Sequence, residues 1–146
     1  MQALLALAIL SIDQLTKAYF TKYLNCGQSF PLIKNFLHFT LVFNTGAAFG
    51  VLKQKTFLFV LVSISVIVFL AFGLGRKNNP ERWALILIIS GAAGNLIDRV
   101  RFGYVIDFID LRIWPVFNIA DSAITIGVSW IVWRMLFRNR GRKVID

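Results

Sequence analysis

Five of the seven acidic residues in this chain stand where acids are costly. Asp13, Asp98, Asp107, Asp110 and Asp121 lie in or beside apolar stretches, whereas Glu81 falls in a polar link and Asp146 is the last residue. An ionised carboxylate at bilayer depth costs about 3 kcal/mol on insertion scales, so five such placements need a chemical reason. Carboxylates held close together in a poorly hydrated cleft cannot all ionise, and two of them tend to share a proton. One then acts as base and the other as acid. Aspartic peptidase chemistry has this requirement: a charged Asp takes a proton from the water attacking an amide carbonyl, and a neutral Asp protonates the carbonyl oxygen.

Other hydrolytic chemistries lack their residues. The chain has one histidine, His38, and one cysteine, Cys26. His38 lies in a strand-like loop and reads as a surface residue, so a serine triad or Cys–His pair has no convincing base. A Ser/Lys dyad would have to use Lys17, yet Ser11 is six positions away on a different helix face. No HExxH spacing occurs, and a Cys/His metal site would be short of ligands. A lone cysteine excludes an internal disulfide.

Each acid also has a purely structural reading. Asn118 and Asp121 have the residue types of a helix N-cap and its N3 position, so Asp121 could serve only the exposed N–H groups of a helix start. The two roles are compatible. A helix N-terminus favours the carboxylate form, which makes Asp121 the ionised member of a dyad and Asp107 the protonated one. Asp13 and Lys17, at i and i+4, read as an intrahelical pair that neutralises itself. Asp98 and its neighbour Arg99 point in different directions, and Arg99 is long enough to reach up to the membrane interface. Asp110 reads as interfacial, with no assigned role.

Four apolar stretches must position these groups. The composition is 58% apolar and the mean hydropathy is +0.70, more than a water-soluble core of this size needs. A helical span takes about 20 mostly apolar residues, which selects 3–22, 56–75, 83–99 and 119–137. The start MQALLALAIL reads as part of the first span and not as a cleaved leader, because no basic segment precedes it and apolar character resumes after Asp13. Residues 1–146 then form a single integral membrane domain. A net charge of +9 belongs to span-flanking Lys and Arg and not to a nucleic-acid surface.

Between spans one and two, FLHFTLVFN (36–44) followed by Thr45-Gly46 reads as a strand and turn, part of a small sheet on the membrane surface. Gly46 and Gly50 have GxxxG spacing, read as backbone permissiveness and not as a helix dimerisation face. The link RKNNPER (76–82) is a tight hairpin, and 100–118 is an amphipathic, aromatic-rich interfacial segment. Lys and Arg number eight on each side, but one set, which includes Arg76, Lys77 and Arg140, is packed into the short link and the tail. That density puts both termini in the cytoplasm and the long loops outside. Asp98, Asp107, Asp110 and Asp121 would then gather at the outer surface.

Five stretches in order, DQLTK (13–17), FNTGAAF (43–49), GNLIDR (94–99), VIDF (105–108) and FNIADS (117–122), resemble lipoprotein signal peptidase, also called signal peptidase II. The resemblance covers nearly the whole chain. It implies a membrane all-α fold of four transmembrane helices with a small extracytoplasmic β-sheet and an interfacial helix. It implies a bacterial cytoplasmic-membrane endopeptidase that hydrolyses the amide bond before the diacylglyceryl-modified cysteine of a prolipoprotein, without a metal or cofactor. Asp107 and Asp121 would be the catalytic dyad. Asn44, Gly46, Asn95, Asp98, Arg99 and Asn118 fall on motif positions associated with the active site, with Asp13 and Lys17 supporting from the first helix. The expected partners are the prolipoprotein and membrane lipids, with the enzyme a monomer and a target of cyclic peptide antibiotics similar to globomycin. The stretch from Asp107 to Asp121 is several residues shorter than in many relatives. A small proton-coupled transporter subunit is the alternative reading of intramembrane acids; such proteins place their acids near the midplane and often carry internal repeats, whereas four of the five acids here cluster toward one interface.

Overall fold

The computed structural model describes residues 2–46, 56–75 and 79–138. Its elements are α1 (Gln2–Tyr23), β1 (Ser29–Ile33), β2 (Leu37–Asn44), α2 (Thr56–Leu74), α3 (Arg82–Phe102), β3 (Val105–Asp110) and α4 (Ile119–Arg138). Four helices are long and apolar enough to cross a membrane. They agree with the expected spans to within a residue or two except at the end of α3. That helix continues to Phe102, and Gly103, at φ 81°, closes it by donating its N–H to the Arg99 carbonyl. The left-handed conformation suits glycine at this position.

The third helix is the centre of the bundle and packs against α1, α2 and α4. Without a hydrophobic driving force between helices in lipid, close backbone approach must supply the contact. Small residues allow it. A Cβ on Gly91 would overlap the Ala120 carbonyl oxygen, and one on Gly94 would lie 2.6 Å from Asp13 Oδ2. By contrast α2 has no buried residue, as expected of a helix that is apolar all round and faces acyl chains.

The three strands form one antiparallel sheet in the order β1-β2-β3. It is fixed to the end of α1 by Phe20, whose ring stacks on Phe108 at 4.4 Å and leans on Phe39 at 4.7 Å. Two sequence expectations are corrected here. The loop after α1 holds two strands, not one: β1 is exposed at every position and contains Pro31, so no alternation announced it, and Pro is tolerated because the strand is an edge. Residues 105–110, read as interfacial, are the third strand. All of β3 except Ile109 is buried, which removes the period-two pattern that marks a half-buried strand. The link that follows does present apolar groups outward, with Ile113 and Trp114 among the most exposed.

Glu81, read as a solvated charge, instead accepts hydrogen bonds from Trp130 Nε1 at 3.2 Å and Arg134 Nε at 3.1 Å, tying the start of α3 to α4. Of the expected hairpin, Asn79 donates to the Gly73 carbonyl at 2.9 Å and accepts from the Glu81 N–H. Arg76 and Lys77 lie outside the described residues, as do Gly50, Lys53, Lys55, residues 47–49 of the FNTGAAF stretch and the basic tail after Arg138.

Replacing Gly91 by Val should lower stability by about 1–3 kcal/mol through overpacking, read as a lower midpoint of thermal unfolding in detergent. Gly75→Ala, whose added carbon meets its first neighbour at an ordinary 3.5 Å, should leave the midpoint unchanged.

Candidate active site

Lys17 is the first residue to place, because it is 1% exposed in a helix that faces lipid. An ammonium has three N–H donors, and here all three have acceptors. They meet Asp13 Oδ2 at 2.8 Å, Asp98 Oδ2 at 2.8 Å and Asn95 Oδ1 at 3.0 Å. The expected intrahelical Asp13–Lys17 pair is therefore half of a buried three-residue ion cluster that reaches across to α3. Gln14 completes it by donating to Asp13 Oδ2 at 3.1 Å and Asp98 Oδ1 at 3.0 Å. Sequence reasoning assigned Gln14 no role; its place inside the DQLTK stretch was the available clue.

Both carboxylates of the cluster carry the contact onward. Asp13 Oδ1 accepts the Ala120 N–H at 2.9 Å, fixing the first turn of α4. Asp98 Oδ2 accepts the Ile106 N–H at 3.2 Å, fixing the start of β3. Asp98 thus does not join an acid cluster at the surface; it shares the Lys17 ammonium with Asp13. Asp110 is also separate: it accepts from Thr40 Oγ1 at 2.7 Å and from Arg112, at its N–H at 2.8 Å and its Nη1 at 3.2 Å. Of the four acids expected to gather, Asp107 and Asp121 form no salt bridge among the described residues.

Three asparagines position these two. Asn118 Oδ1 accepts the Asp121 N–H at 2.9 Å and Asp121 Oδ2 accepts the Asn118 N–H at 3.3 Å, the reciprocal cap that the residue types predicted. The Asn118 amide then donates to Asp107 Oδ1 at 2.7 Å and to Asn95 Oδ1 at 3.0 Å. Asn95 donates to Asp121 Oδ1 at 2.7 Å. From β2, Asn44 donates to Asp107 Oδ2 at 2.9 Å. Its own orientation is set by the Gly46 N–H, which donates to Asn44 Oδ1 at 2.9 Å. Gly46 holds a φ of +98°, and a Cβ there would collide with the Phe59 ring. Both facts require glycine at this position.

Arg99 lies beside the two acids. Its guanidinium lies 5.5 Å from the Phe59 ring centre, within electrostatic reach of Asp121 and Asp107. His38 is half-buried and not at the surface as read, with Nδ1 3.1 Å from Ser29 Oγ and Nε2 buried without a partner. Among the described residues no three His, Cys, Asp or Glu side chains cluster as metal ligands.

The dyad is asymmetric. Asp107 is 1% exposed, and its pKa is pushed up to about 7, first by burial and then by the charge of Asp121, against the lowering effect of the Asn44 and Asn118 hydrogen bonds and of Lys17. Asp121 is half-exposed and opens on a cleft lined by Trp114, Phe117, Ser122, Thr125 and Ile126. One acid is thus disposed to hold a proton and the other to meet water. Such a pair supports general acid–base hydrolysis.

A family model described as signal peptidase (SPase) II matches residues 5–137. The chain is 49% identical over 136 residues to the lipoprotein signal peptidase of Moorella thermoacetica, covering 91% of each protein. It is 42% identical over 131 residues to that of Halothermothrix orenii, covering 88% of this chain and 90% of the relative. Among solved structures, a bacterial membrane enzyme determined by the in meso method at 2.3 Å resolution superposes with a TM-score of 0.90 at 36% identity, over 99% of this chain and 93% of that one.

Removing the cation should be more damaging than removing a surface ion pair. Lys17→Met leaves Asp13 and Asp98 buried without their counter-ion, at a cost of about 3–5 kcal/mol. Thermal unfolding in detergent should show it, with partial recovery when Asp98→Asn is added.

Proposed function

Because the chain belongs to the signal peptidase II family, it is a membrane peptidase that removes signal peptides from prolipoproteins, and we propose that Asp107 and Asp121 are its catalytic pair. It is a multi-pass protein of the bacterial inner membrane. The transporter alternative has no support: the relatives are peptidases, and the cation-paired acids hold helices together. The observation that carries the dyad is that Asp107 and Asp121 are bridged through Asn118 and Asn95 while the other buried acids are matched to Lys17 or Arg112.

In this reading water enters from the cleft beside Asp121. Asp121, its oxygens accepting from the Asn95 amide and the Asn118 N–H, takes a proton as the water oxygen adds to the scissile carbonyl carbon. Asp107 gives its proton to the carbonyl oxygen. Collapse of the tetrahedral intermediate breaks the C–N bond, returns that proton to Asp107, and passes the proton on Asp121 to the departing amine. Arg99, beside both acids, steadies the negative charge that develops. The scissile bond is the amide preceding a diacylglyceryl-modified cysteine. Acyl chains held in the bilayer fix the depth of that bond, so remote binding energy positions it against the dyad. The density of basic residues in the α2–α3 link and the tail supports cytoplasmic termini and a site at the extracytoplasmic face. The enzyme acts as a monomer, since both acids and their supporting amides come from one chain.

Purified protein in detergent, given a diacylglyceryl-modified preprolipoprotein, should release the signal peptide. Asp107→Asn and Asp121→Asn should each lower release by about 10²–10⁴-fold while the unfolding midpoint holds. Full activity in either variant would sink the assignment. The kcat/KM profile should fall on the basic side near pH 7, as the pair loses the proton that burial keeps on Asp107. Asn44 stabilises the charged form of Asp107, so Asn44→Ala should move that limb to higher pH.

A further inference from the structure

On the flank of the bundle between α1 and α3 runs a second groove, away from the cleft beside Asp121. Its α1 wall extends from Gln14 to Lys22, about 12 Å of helix at 1.5 Å per residue. One end is basic. Lys22 and Arg101, in the last turns of α1 and α3, both line it. Each is exposed and lies against a neighbouring ring, Lys22 5.3 Å from the centre of Tyr23 and Arg101 5.0 Å from that of Phe102. Among the described residues neither is paired with a carboxylate, in contrast to Lys17, Arg112 and Arg134. Ala18, Phe102 and Ile106 supply apolar parts of the same lining.

The charge in the groove can be counted. Each helix C-terminus carries roughly half a negative charge, so two cations beside two such ends leave about one net positive charge. A phosphodiester carries one negative charge. The apolar side chains in the lining, Ala18, Phe102 and Ile106, favour a phosphate that is attached to a hydrocarbon chain.

We propose that this groove binds an anionic membrane phospholipid, its phosphate held between Lys22 and Arg101 and an acyl chain lying along Ala18 and Phe102. The site goes beyond the peptidase reading and does not depend on it. Its floor includes Lys17 and Asp98, so a bound lipid shields the ion cluster from water on that side.

Native mass spectrometry of the full chain, titrated with phosphatidylglycerol or phosphatidylcholine, tests this. Phosphatidylglycerol should be retained preferentially, and Lys22→Gln and Arg101→Gln should each reduce its retention about fivefold without affecting phosphatidylcholine. Lys22→Arg and Arg101→Lys should restore it, and Lys34→Gln, in the β1–β2 turn, should have no effect. Unchanged unfolding midpoints in the lipid-free variants separate a lost ligand from a lost fold. The proposal is overturned if the Gln variants retain phosphatidylglycerol as the parent does, if Lys34→Gln weakens it equally, or if inorganic phosphate displaces it, which would mark a site for free anions. Peptidase activity does not enter any of these readings.

Discussion

A single buried ammonium holds the architecture together. Burying a cation is tolerable only when every donor is satisfied and the charge is matched, and Lys17 meets both conditions with Asp13, Asp98 and Asn95. The consequences extend past the cluster. Asp13 also holds the start of α4, and Asp98 holds the start of β3. One cation on α1 therefore registers two helices and a strand, which brings the two acids proposed as the catalytic pair, from β3 and α4, to the same place.

The buried acids divide by what neutralises them. Asp13 and Asp98 are paired with an ammonium and serve a structural role. Asp107 and Asp121 receive neutral amide donors instead. Amides orient a carboxyl group without supplying a full counter-charge, so burial and mutual repulsion are left to keep a proton on the pair. The distinction is electrostatic and local, and it separates residues of identical type in one small protein.

The setting in the membrane completes the division. With α2 given over to lipid contact and the sheet fixed to α1 by Phe20, the dyad lies at the junction between bundle and sheet. Asp107 is sealed and Asp121 is half-exposed. One carboxyl is open to solvent and the other is buried, the arrangement that the proposed acid and base roles need.

Much of this was legible without coordinates. The lengths of apolar runs set the spans, since bilayer thickness dictates them, and the cost of burying acids singled out Asp13, Asp98, Asp107, Asp110 and Asp121. The N-cap and N3 types of Asn118 and Asp121 announced the start of α4, because capping is local chemistry. Strands β1 and β3 were missed for opposite reasons: one is exposed throughout and the other nearly buried throughout, so neither alternates. Residue spacing announced the Asp13–Lys17 pair but not that Asp98 shares the cation. Asp13 meets the Ala120 N–H across 107 residues, and Gln14 meets Asp98 across 84. Those pairings depend on how closely the backbones approach at Gly91 and Gly94, a property of packed helices in three dimensions. Residue types determined what chemistry was available; the helix interfaces decided which carboxyl groups were left free to perform it.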